Sequence, residues 1–97
     1  MSIWHEFDGS LTKDELRKEV LFLIQKDEYL PIGYAETWAG VDSVKIFDRE
    51  LDSHESAMRF ITDLIGFGEP AIAIRYFKKM GGDKEISWLV GAMTDLE

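Results

Sequence analysis

Two spacings organise the hydrophobic positions of this chain. At the start, Ile3, His5 and Phe7 alternate with Trp4, Glu6 and Asp8. A period of two places successive side chains on opposite faces of a strand, so a short strand ending at Gly9 is expected. The alternation is imperfect, because Trp4 is as large as anything on the other face. From Thr12 the period lengthens. Leu16, Val20, Leu23 and Ile24 follow helical spacing, with Lys13, Arg17 and Lys26 elsewhere on the wheel. Thr12 and Glu15 match a capping box, Leu11 is placed as its hydrophobic staple, and Asp14 and Glu15 suit the positive end of the helix dipole. A helix over about 12–28, stopping before Pro31, is expected from these signals.

The next stretch, IGYAETWAGVDSVKIF, contains two extended-looking runs, 33–38 and 44–48, joined by 39–43. A hairpin is expected, with Gly40 free to adopt a positive φ in its connection. On its first arm Tyr34, Glu36 and Trp38 share one face, opposite Ala35 and Thr37. A carboxylate between two aromatics indicates a partly wet edge or a dedicated partner for Glu36. DRELDSHE, 48–55, reads as a polar, acidic turn in which Asp52 or Ser53 caps a second helix. Ala57, Phe60, Ile61, Leu64 and Ile65 share one face of that helix, over about 54–65. The GFGEP segment ends it, with Gly66 suited to the left-handed position beyond the last turn.

After Pro70, two β-like runs flank Gly81-Gly82-Asp83. Ile72, Ile74 and Tyr76 share one side of the first, and Ile86, Trp88 and Val90 one side of the second. The second run is apolar on both faces between Trp88 and Val90, as in a central strand covered twice. Residues 71–80 tolerate a helix, but their β-branched and aromatic content and the adjoining glycines favour a strand. The expected fold is α+β, in the order β-α-β-β-α-β-β. Four to five strands form a small mixed or antiparallel sheet packed against two amphipathic helices.

Composition narrows the function more than it identifies it. At 97 residues, 45% of them hydrophobic, the chain fits one globular domain, 1–97. The absence of cysteine excludes disulfides, thiolate ligands and cysteine nucleophiles. Its apolar runs fall far short of the roughly 20 residues that span a bilayer. MSIWHEFDGS lacks the basic and apolar regions of a secretory signal. A cytoplasmic protein with no membrane association is the expectation. A net charge of −8 disfavours direct binding to nucleic acid, whose phosphates must be neutralised. It suits a basic protein partner, or simply keeps a small protein soluble.

The candidate chemistry is sparse. His5 and His54 belong to no HExxH spacing, and Asp48, Glu50 and Asp52 lack the glycine and terminal glutamate of an EF-hand loop. The serines lack a GxSxG or SxxK setting, and GGDK at 81–84 is too short for a phosphate loop. Arg75, Lys78, Lys79 and Lys84, interleaved with Tyr76 and Phe77, form a small basic group that the net charge opposes. No catalytic residue, metal or cofactor is therefore assigned.

By elimination, the reading is a non-catalytic acidic module that binds or regulates another protein, including inhibition of a basic or nucleic-acid-binding one. Tyr34, Glu36, Trp38, Asp48, Glu50 and Asp52 are its expected contact residues, since aromatics dominate binding hot spots. One alternative is a small enzyme or ligand-binding domain using carboxylates with His5 or His54. That reading calls for a concave pocket holding a histidine beside a carboxylate. The other is a structural or self-assembling subunit, for which a homodimer is the simplest form.

Overall fold

The computed structural model describes residues 2–27, 41, 43–66, 70–80 and 82–93. Within them the chain forms β1 (Ser2–Asp8), α1 (Lys13–Asp27), β2 (Val44–Leu51), α2 (His54–Thr62), β3 (Ala71–Met80) and β4 (Asp83–Met93). This is an α+β fold with one mixed four-stranded sheet, ordered β1-β4-β3-β2. β4 pairs antiparallel with both β1 and β3, and β2 pairs parallel with β3. Strands β1, β2 and β3 therefore run in the same direction, with β4 opposed between two of them.

The placement of the helices is a consequence of that order. The β1-α1-β2 connection crosses the sheet from one edge to the other, and β2-α2-β3 returns. Parallel crossovers overwhelmingly keep a right-handed sense, so two that travel in opposite directions set their helices on opposite faces. The two hydrophobic clusters match this arrangement. On one face Leu16, Val20 and Ile24 of α1 pack with Ile3, Val44, Ala73, Trp88 and Val90. On the other, Ala57 and Ile61 of α2 pack with Ile72, Ile74, Tyr76 and Leu89, with Trp4 alongside. The sheet is covered twice, which explains why β1 carries large side chains on both faces and why β4 is apolar throughout its middle.

Local signals act as expected at several points. The Thr12 Oγ1 accepts from the Glu15 amide at 3.2 Å, and Glu15 Oε1 accepts from the Thr12 amide at 2.9 Å, completing the capping box. Ser53 caps α2, its hydroxyl accepting from the Ser56 amide. Gly82, at φ 100°, turns β3 into β4 in a conformation other residues rarely adopt. Burial of side chains the size of Leu16, Ile61 or Ile74, each fully covered, contributes about 1.5–3 kcal/mol apiece.

Three details depart from the sequence reading. Residues 48–51 of the expected acidic turn belong to β2, because pairing of Glu50 and Leu51 with Arg75 and Tyr76 extends the strand beyond a register shift. Helix α2 stops at Thr62, and its C-cap Asp63 has φ −71°, so the helix ends without a left-handed residue at that cap. Leu64, assigned to the core face, is 44% exposed beyond that end. The first arm of the expected hairpin, 33–38, lies outside the described residues; the second is β2, whose neighbour among the described strands is β3.

Candidate functional site

Two polar constellations lie on opposite faces of the sheet. On the α2 face the row Asp8–Ser87–Tyr76 crosses three strands, next to the row Glu6–Leu89–Ile74. The Tyr76 ring is buried in the core, and its hydroxyl reaches diagonally across β4 to donate a hydrogen bond to Glu6 Oε1. Lys78 Nζ donates to Glu6 Oε2 at 3.2 Å, and His54 Nε2, from the first residue of α2, lies 3.5 Å from Glu6 Oε1. The His54 and Tyr76 rings meet edge to face with centroids 5.3 Å apart. One carboxylate on β1 is thus the common partner of groups from β3 and α2.

The protonation preferences of Glu6 and Tyr76 are pushed apart. Partial burial pushes the Glu6 carboxyl upward, but the hydrogen bonds from Tyr76 and Lys78, with the positive charges of Lys78 and His54, outweigh it and hold Glu6 below its ordinary range. Burial, then the Glu6 hydrogen bond and charge, raises the Tyr76 phenol well above the ordinary tyrosine value. Near neutrality the carboxylate remains ionised and the phenol protonated. A general acid or base works best when its pKa lies near the operating pH, and these two groups are driven away from it. The arrangement ties β1, β3 and α2 together.

The second constellation lies on the α1 face, where β2 passes its register shift. A cleft of about 240 Å³ is lined by Phe47, Asp48, Arg49, Glu50, Arg75 and Trp88. Across the sheet, the row Phe7–Trp88–Arg75 continues to Glu50. Arg75 is half-buried and held from two sides: its Nη2 donates to the Leu11 carbonyl at 2.9 Å, and its guanidinium lies 4.4 Å from the Trp88 ring centroid. Trp88 Nε1 donates to the same carbonyl at 3.0 Å. The Arg75 Nε is buried without an acceptor among the described residues. Among the described residues, no carboxylate forms an ion pair with Arg75.

The residues singled out from the sequence are distributed unevenly over these features. Tyr34, Glu36 and Trp38 lie outside the described residues. Asp48, Glu50 and Asp52 are all exposed. Asp48 pairs with Lys13 at 3.1 Å, and Glu50 stands opposite Arg75. These two border the cleft, whereas Asp52 lies past the end of β2, one residue before the α2 cap. His5 is exposed with its ring 4.5 Å from that of Phe7, while His54 joins Glu6. The expected basic group divides between the two faces: Arg75 lies on Trp88, and Lys78 pairs with Glu6 on the other side.

Sequence reasoning did not single out Glu6 or foresee the inward setting of Arg75. The period of two placed Tyr76 with Ile72 and Ile74, but its partner lies 70 residues earlier and meets it only through the strand order. Among the described residues, no group of three or more histidine, aspartate or glutamate side chains is arranged to hold a metal ion. No described helix is long and apolar enough to cross a membrane. No family model matches the chain, and neither a curated protein nor a solved structure shows significant similarity to it.

Proposed function

We propose that the protein is a non-catalytic binding module that uses its acidic and aromatic segment, residues 28–52, to recognise a basic protein. The observation that carries this reading is the segregation of charge. The stretches 27–44 and 85–97 hold Asp27, Glu28, Glu36, Asp42, Glu85, Asp95 and Glu97 and contain no lysine or arginine. The remainder of the chain is close to charge balance, with 12 acidic and 11 basic residues, so these two stretches account for most of the net charge of −8. The first of these also carries Tyr34 and Trp38, which bury large areas on binding at small entropy cost.

Carboxylates near such anchors steer a basic partner toward them and disfavour acidic ones. Asp48 and Glu50 on β2 and Asp52 just past its end, all exposed, extend the same character.

The test is capture of partners on immobilised protein, identification of the retained partner by mass spectrometry, and titration of that purified partner by calorimetry. The expected result is a basic partner whose affinity falls steeply with salt and drops at least tenfold for Tyr34→Ala/Trp38→Ala. Equal affinity of wild type and the double variant, with both folded by circular dichroism, would refute the assignment.

A further inference from the structure

The geometry points to a site for a free α-amino acid in the cleft between β2 and Arg75, with the ligand carboxylate on the guanidinium and its ammonium on Glu50. The starting observation is the state of Arg75. A half-buried guanidinium normally sits beside an anion, because an uncompensated charge away from water is costly. Here it is positioned by the Leu11 carbonyl and the Trp88 ring and, among the described residues, has neither a carboxylate partner nor an acceptor for its buried Nε. A planar fork fixed in this way is prepared for a carboxylate or phosphate oxygen pair.

The rest of the lining selects between these anions. Asp48 and Glu50 border the same cleft. Both would repel a phosphate dianion, but a carboxylate that brings its own ammonium offsets them. Asp48 is already occupied by Lys13, which leaves Glu50, across from Arg75 on the neighbouring strand, as the ammonium partner. Trp88 supplies the apolar wall, since the Phe47 ring packs edge to face on Phe60 of α2.

Size points the same way: about 240 Å³ is below the roughly 300–1,000 Å³ of sites for drug-sized ligands and suits a small metabolite. The cleft also lies at the carboxyl-terminal half of a parallel strand, the end at which open α/β sheets place their ligands. Asp48 and Glu50 are shared with the protein-binding surface proposed above, but the anchor of this site, Arg75, lies outside the segment 28–52 and the site does not use Tyr34 or Trp38.

Calorimetric titration of the whole chain with each standard amino acid, then with analogues of any that binds, tests the proposal. Saturable binding of at least one amino acid is expected. Its N-acetyl derivative, lacking the ammonium, and its amide, lacking the carboxylate, should each bind roughly fivefold or more weakly. Glu50→Gln, an exposed change that leaves the core intact, should abolish the preference for the free amine over the N-acetyl form. Arg75→Lys should weaken binding of the parent amino acid, with circular dichroism confirming the fold. Absence of saturable binding, binding of inorganic phosphate at least as tight as any amino acid, or an unchanged amine preference in Glu50→Gln would each overturn it.

Discussion

Gly91 lies where β1, β4 and α2 meet, and replacing it with alanine tests that packing directly. In the sheet it stands between Trp4 of β1 and Ile72 of β3, on the face covered by α2. A Cβ at this position would lie 2.6 Å from Trp4 Cζ3, 2.8 Å from Trp4 Cε3 and 2.7 Å from Ile61 Cγ2. Ordinary carbon contacts begin near about 3.5 Å, so two side chains on different elements must both move. Overpacking of this kind costs about 1–3 kcal/mol. Alanine also restricts the unfolded chain, which returns about 0.4–1 kcal/mol. The net expectation is a loss of about 1–2 kcal/mol, or roughly 4–16 °C in Tm for a domain of this size.

Urea unfolding monitored by far-ultraviolet circular dichroism measures the loss. The source of the strain is checked in two further backgrounds. Ile61→Leu removes the offending γ-methyl at nearly constant volume, and Trp4→Leu removes the six-membered ring. In either background Gly91→Ala should cost less than in the wild type, with a coupling of about 0.5 kcal/mol or more. If Gly91→Ala leaves stability unchanged, or its cost is the same in both backgrounds as in the wild type, the close approach of α2 and Trp4 to β4 is wrong.

Other consequences are equally specific. Because the folded Glu6 pKa lies below its ordinary value of 4.5, the stability it contributes is present above that pH and is lost as pH falls through the folded value. Urea midpoints of wild type and Glu6→Gln should therefore differ at pH 7 and converge under acid conditions. The raised Tyr76 pKa has the opposite sense: its contribution is complete below the ordinary value of 10.0 and is lost as pH rises beyond it. Phenolate absorbance should show the native protein and Tyr76→Phe titrating alike near pH 10, whereas in urea the wild type titrates one tyrosine more. Removing the α2 cap with Ser53→Ala should destabilise the protein by about 1 kcal/mol, and Ser53→Gly by less, in the same unfolding assay.

What was legible in the sequence was local. The Thr12–Glu15 box, the Ser53 cap and the glycine turn after β3 depend on residues a few positions apart, so their chemistry is decided within short windows. The period of two likewise separated Ile72, Ile74 and Tyr76 from Ala71 and Ala73, and the structure buries these sets on opposite faces. The same local reasoning failed where a distant strand changed the outcome. Residues 48–51 look like a solvated turn until β3 pairs with them, and Leu64 looks like core until α2 ends before it.

The candidate sites belong almost wholly to the tertiary structure. Nothing near Glu6 in the chain indicates that Tyr76, Lys78 and His54 will surround it, and nothing near Arg75 indicates that it turns onto Trp88 and faces Glu50. Those meetings depend on β4 being inserted between β1 and β3 and on α1 and α2 occupying opposite faces. Side-chain periodicity and capping act over one or two turns, so the sequence alone determines where elements begin and which of their faces are apolar. Strand order is decided by crossover handedness and by the burial of both faces of β4 at once, terms that exist only when the whole chain is assembled.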